Sequence, residues 1–103
     1  MKLYLDTSKR DEIEIKLVKN DKSFNLSKKV EPRNSQAVLV AVEELLTAHR
    51  VSIQDIDELY VKTGPGSFTG LRIGLSIANA LSAFLNIPVN GEKPGTIIDA
   101  KYI

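Results

Sequence analysis

A short run of apolar and charged residues, ELYVK at Glu58 to Lys62, ends at the stretch TGPGSFTGLRIG, Thr63 to Gly74, and an apolar stretch follows at once. Strand, glycine turn, helix is the geometry this order imposes. Gly64 and Gly66 accept backbone angles closed to other residues, and Ser67 or Thr69 can cap the helix behind them. The same geometry points free N–H groups at whatever lies above the turn, so an anion is one occupant such a loop could take. Spacing excludes the familiar phosphate loops. A P-loop needs Lys after its second glycine, but Leu71 follows Gly70. The dinucleotide fingerprint opened by Gly64 and Gly66 calls for glycine at the place of Thr69, and no acidic residue closes the next strand, IPVN, to grip a ribose.

The helix after the loop, about Thr69 to Leu85, carries its apolar residues over an arc of about 220°, where one sheet needs a stripe of little more than about 100°. The preceding helix, NSQAVLVAVEELLTAHR with Asn34 or Ser35 as its N-cap, is also wide-faced, with Val40 off its main stripe. Surplus apolar surface on two neighbouring helices suggests half of a helical bundle completed by another molecule. The residues expected to make that partner-binding face are Val38, Ala41, Val42 and Leu45 of the first helix and Leu71, Gly74, Leu75, Ala78 and Leu81 of the second. The small Ala41, Gly74 and Ala78 would permit close approach.

Ahead of these helices the chain reads as a three-stranded meander. Leu3 to Leu5 form a short apolar run stopped at Asp6, and EIEIKLV alternates so that Ile13, Ile15 and Leu17 share one face. KNDK is turn-like, and SFNLSKKV alternates weakly through Phe24, Leu26 and Val30 before Pro32. With a short strand near Val89, the order is β-β-β-α-β-α-β, a mixed α/β sheet whose later strands are joined by helical crossovers. At 103 residues, one domain with a modest core is expected.

Composition excludes several chemistries. There is no cysteine, so disulfides, thiolate zinc sites and thiol catalysis fall away. Net charge is +1, and the densest basic cluster, SKKVEPR, is a solvated loop rather than a nucleic-acid footprint. No window of the sequence reads as a signal peptide or a membrane span, so a cytoplasmic protein with no membrane partner is expected. The lone histidine, His49, reads as a capping or packing residue. Asp6, ending the first strand at LDTS, stands where an open α/β sheet presents a ligand-binding group, and equally suits a turn residue bonding the backbone of Thr7 or Ser8. No second positioned acid or base accompanies it, and no metal site or cofactor is expected.

LDTS, NSQ, GPGSFTGLRIG and LNIPV together resemble, in order and spacing, the TsaB (YeaZ) family over about Met1 to Val89. The resemblance implies a single lobe of the actin-like ATPase (ribonuclease H-like) fold, normally built of two lobes. It implies a non-catalytic subunit that binds and activates or stabilises a TsaD-like catalytic subunit in making threonylcarbamoyladenosine in tRNA. A TsaE-like ATPase in the same complex, indirect association with tRNA, and a homodimer when alone are further implications. On this reading Gly64, Pro65, Gly66, Ser67, Phe68, Thr69 and Gly70 position an interaction helix, and Asp6, Thr7 and Ser8 are a vestigial nucleotide site. The rival functions are a nucleotide-binding or hydrolysing enzyme using Asp6 and the glycine loop, and a self-associating structural domain.

The sequence departs from the family in having Asn34 where His is usual and Val40 where proline is common. After a first lobe over residues 1–90, the second lobe is replaced by a short tail or extra strand over residues 91–103, GEKPGTIIDAKYI, with a turn at GEKPG and a further strand or loose tail at TIIDAKYI. The Met1 start favours a natural minimal family member over a fragment.

Overall fold

The computed structural model describes residues 1–31 and 35–101. Its elements are β1 (Lys2–Asp6), β2 (Glu12–Lys19), β3 (Lys22–Lys29), α1 (Ser35–Ala48), a single 3-10 turn at Ile53–Asp55, β4 (Glu58–Val61) and α2 (Phe68–Leu85). The four strands form one sheet in the order β3-β2-β1-β4, with β1 antiparallel to β2 and parallel to β4. The expected meander and crossover are therefore present in one mixed sheet. Asn34, the alternative cap of the first helix, lies outside the described residues, as do Pro32, Arg33 and the last two residues of TIIDAKYI.

Register turns the alternation into a core. Leu3 stands opposite Leu17 and Leu59, and Leu5 opposite Ile15 and Val61, so one face of three strands is a continuous apolar patch. Leu3, Leu17 and Leu59 are completely buried. Both helices lie on this face, α1 over β2 and β3 and α2 over β1 and β4. Val38, Ala41, Val42, Leu45 and Leu46 of α1, and Leu71, Leu75 and Ala78 of α2, close the core from above. By length and composition α2 is long enough and apolar enough to cross a membrane, which the reading of the sequence did not register. Here it is seated on the sheet. The opposite face of the sheet is polar and aromatic: Tyr4 stacks on Tyr60 at 4.8 Å, and the Lys16 ammonium lies 4.2 Å from the Tyr4 ring.

The expected strand near Val89 is reduced to a single parallel bridge to Leu59. Asn90 and Gly91, both at positive φ, turn the chain away before a second rung can form. A side chain supplies that rung instead. The Asn90 amide accepts from the Val61 N–H at 2.8 Å and donates to the Val61 carbonyl at 3.1 Å, satisfying the edge of β4. The described residues of the tail, 91–101, form no named strand and are pinned to the lobe. The Asn79 amide pairs with both backbone groups of Ile98 at 3.0 Å, and the Lys101 N–H donates to the Thr63 carbonyl at 2.6 Å.

Candidate functional site: a glycine-tracked junction and the groove between the helices

The junction between β1 and α2 brings Asp6, Thr7 and Ser8 against the glycine loop. Gly66, Gly70 and Gly74 recur every fourth residue and form a flat track on which the loop after β1 lies. A Cβ on Gly66 would stand 2.5 Å from the Ser8 carbonyl oxygen. One on Gly70 would strike the Thr7 carbonyl, and one on Gly74 the Thr7 hydroxyl. The need for glycine at 66 is thus space rather than a positive backbone angle, which corrects the expectation for that residue. Gly64 does take a positive φ, 142°, with the Lys101 carbonyl where a side chain would begin. The Thr7 hydroxyl donates to the Gly70 carbonyl at 2.6 Å, and the Ser67 N–H to the Ser8 carbonyl at 2.7 Å. Of the two expected caps it is Ser67 that accepts from the Gly70 N–H, at 3.3 Å.

This chemistry is spent internally. One Asp6 carboxylate oxygen accepts from the Ser8 N–H at 2.9 Å and the Ser8 hydroxyl at 2.6 Å, the turn arrangement of the two readings, and the other lies 3.9 Å from Lys62. Thr7 and Ser8 are buried. A cavity of about 210 Å³ beside the junction takes Lys9, Arg10 and Thr69 into its lining. Lys9 faces carboxylates of its own: its hydrogen bond to Glu14, and then the charge of Glu12, hold the ammonium above its ordinary pKa. His49 stacks on Phe24 with centroids 3.8 Å apart, the packing role foreseen for it.

The expected partner face is displaced by the structure. Val38, Ala41, Val42, Leu45, Leu71, Leu75 and Ala78 are at most 5 % exposed, and Gly74 is buried against Thr7, so none can touch a partner while the lobe stays folded. A helical wheel shows how wide an apolar arc is, not which part of it the sheet claims, and the sheet claims its middle. What remains is the flank. An open groove of about 870 Å³ runs between α1 and α2, lined by Leu39, Phe68, Ile73, Ile77, Leu81 and Phe84. Only Leu81 among the expected residues belongs to it. Phe68 is 57 % exposed and Phe84 82 %, both large apolar side chains open along the groove. Arg72 also lines the groove, its guanidinium 5.2 Å over the Phe68 ring. The surplus arc of the second helix was the signal for this groove; residue-level placement needed the sheet.

A mixed sheet with both helices on one face, entered through a glycine-tracked turn, defines one lobe of the actin-like, ribonuclease H-like class. A family model described as "TsaD: tRNA N6-adenosine threonylcarbamoyltransferase" matches residues 28–93. The chain is 40 % identical over 73 residues to the tRNA threonylcarbamoyladenosine biosynthesis protein TsaB of Escherichia coli (strain K12), covering 70 % of this chain and 32 % of that protein. The protein of the same name from Buchnera aphidicola subsp. Schizaphis graminum is 29 % identical over 99 residues, covering 96 % of this chain and 47 % of the other. The solved structure of YeaZ from Pseudomonas aeruginosa superposes with a TM-score of 0.80 at 28 % identity, covering 85 % of this chain and 41 % of that one. The chain belongs to the TsaB (YeaZ) family, within the wider group that the threonylcarbamoyltransferase model describes. It spans between about a third and a half of the length of these relatives.

Proposed function

We propose that this chain is a non-catalytic partner subunit in tRNA threonylcarbamoyladenosine synthesis, and that it docks a TsaD-like catalytic subunit through the groove between α1 and α2. The observation that carries this reading is the exposed apolar flank of the two helices, centred on Phe68 and Phe84, in a chain whose relatives are named for that biosynthesis. The reading is supported on the chemical side by the internal use of Asp6, Thr7 and Ser8, which leaves no positioned acid–base pair at the strand end. A TsaE-like ATPase and tRNA then meet the assembly through the catalytic subunit.

Co-purification with the TsaD-like subunit of the same organism tests the reading. The unaltered chain is expected to be captured, and Phe84→Asp to lose capture while keeping its fold. Isothermal titration with ATP and magnesium is expected to show no binding by the isolated chain. Steady ATP turnover abolished by Asp6→Ala would make the chain an enzyme and end the proposal.

A further inference from the structure

Asn90 is the one asparagine of the chain that a glycine follows; the others precede Asp21, Leu26, Ser35, Ala80 and Ile87. With Gly91 it forms the tight turn between Val89 and Glu92, at φ 51° and 76°, and the Glu92 N–H donates to the Val89 carbonyl at 2.9 Å. Asparagine and glycine are the pair that such a hairpin turn selects. Gly91 is exposed, and a Cβ built on it would meet nothing within 4 Å. Asn90 is half-buried, and its amide is held across the edge of β4 by two bonds to the Val61 backbone, at 2.8 and 3.1 Å.

We propose that Asn90 and Gly91 form a self-modification site gated by the fold, unreactive while the Asn90 amide holds β4 and converted to aspartate or isoaspartate when it lets go. The step is a cyclisation followed by a hydrolysis. The Gly91 nitrogen, its proton taken by hydroxide, attacks the Asn90 Cγ; the bond from Cγ to Nδ2 breaks, and the side-chain nitrogen leaves as ammonia with a proton from water. Water then opens the five-membered imide. Attack at Cγ gives aspartate, and attack at the backbone carbonyl gives isoaspartate, whose chain runs through Cβ. Nothing is oxidised or reduced, and water is the only co-reactant.

Sequence favours this reaction here and the fold restrains it. Glycine has no side chain to shield the attacking nitrogen, which bulkier residues such as Leu26 and Ile87 do at other asparagines. Closing the ring, however, swings the amide out of the plane in which it meets Val61, so both bonds are lost and the last residue of β4 is left unpaired. The reactive population is therefore the locally opened one. Conversion then keeps the turn from closing again. An aspartate still accepts from the Val61 N–H, but at neutral pH it has no proton for the Val61 carbonyl and sets oxygen against oxygen. Isoaspartate lengthens the backbone by one carbon, which the turn cannot take up. The modification thus unfastens the turn from β4 at the point where that strand runs into the glycine loop.

The test is incubation of the unaltered chain at mildly alkaline pH, native and in urea, with conversion at each asparagine read by peptide mass mapping. In urea Asn90 is expected to convert first, and Gly91→Ala to lose most of that conversion. In the native lobe the rate at Asn90 is expected to fall about thirtyfold, the factor that two hydrogen bonds of ordinary strength supply. Asn90→Asp, a mimic of the product, is expected to have a lower denaturant midpoint than the parent at neutral pH. The gap should close as pH falls below about 4, where the carboxyl regains a proton to donate. Asp6, Glu14, Lys16, Tyr60 and Lys62 line the same cavity as residue 90 and titrate or carry charge in both proteins, so the difference between the two is the quantity read. Another asparagine converting first in urea overturns the site. Native and urea rates within about threefold of each other overturn the gate. An Asn90→Asp midpoint equal to the parent's at neutral pH, or a gap that acid does not close, overturns the unfastening.

Discussion

Leu71, Gly74, Leu75, Ala78 and Ser82 on one side of α2 are sealed against the sheet and the loop after β1, while Phe68, Ile77, Leu81 and Phe84 on the other line an open groove. Both sides are apolar, and composition does not distinguish them. The difference lies in size and fit. The inner side carries glycine, alanine and serine beside two leucines, because backbone approaches it closely, and each buried leucine stabilises the lobe by roughly 1.5–3 kcal/mol. The outer side carries Phe68 and Phe84, 57 % and 82 % exposed, apolar surface of the kind that marks association sites. The glycines and Ala78 on α2 mark the side that the sheet and the loop after β1 approach closely, and the phenylalanines the side left open.

The strongest challenge to this division is Ala78→Arg. Ala78 is completely buried, so an arginine there must either carry its charge into the core or force α2 off the sheet. The expected result is loss of the cooperative urea transition, a destabilisation above about 4 kcal/mol and comparable to the stability of a domain of this size. A folded Ala78→Arg protein would mean that the inner side is reachable, and the division would fail.

Gly70→Ala probes the track rather than the leucines. The added methyl meets the Thr7 backbone carbonyl, which no rotamer change can move. About 2–3 kcal/mol of destabilisation is expected, the upper range for overpacking, read as a lower denaturant midpoint with the slope unchanged. The same methyl at Gly74 meets the Thr7 hydroxyl instead. Gly74→Ala should therefore be partly relieved by Thr7→Ala, whereas Gly70→Ala should not.

Most of the fold was legible in the chain. Strict alternation in β2 identified Ile13, Ile15 and Leu17 as core, and the extents of β4 and α2 followed from where the apolar run met the glycines. The site was legible only in part. That the helices have more apolar surface than one sheet can cover was visible in their arcs; which residues form the surplus was not, because rotation of a helix about its axis is set by tertiary contact. The glycine spacing of four was present in the sequence, and it meant close approach to the loop after β1, a partner that sequence alone does not supply. The shortened strand at Val89 depended on an asparagine side chain replacing a backbone rung, which no periodicity announces.

Serines on the two sides of α2 sharpen the comparison with a polar atom instead of an apolar one. Ser82 is completely buried, donates to the Ile87 carbonyl at 2.6 Å and accepts from the Gly95 N–H at 3.2 Å. Ser76 is exposed and lines the groove. Ser82→Ala leaves a buried acceptor and a donor without their partner, and about 1–2 kcal/mol should be lost in denaturant unfolding. Ser76→Ala should change nothing measurable. Equal losses would show that the outer side is as structured as the inner one.

The smallest expected effect is the most informative about the groove. Phe84 is 82 % exposed, so only about a fifth of its surface gains anything from folding. A fully buried side chain of this kind is worth up to about 3 kcal/mol, and a fifth of that is near 0.5 kcal/mol. Phe84→Gln also makes the unfolded chain more soluble, and that effect on the reference state opposes or adds a few tenths of a kcal/mol. The unfolding midpoint of the isolated chain should therefore stay within about 0.5 kcal/mol of the parent, the range of an ordinary surface substitution. If Phe84→Gln instead costs more than about 1 kcal/mol, Phe84 is part of the monomer core and the groove closes on itself in solution. The outer side of α2 would then be a second internal face, and the docking proposed for the groove would have no open surface to use.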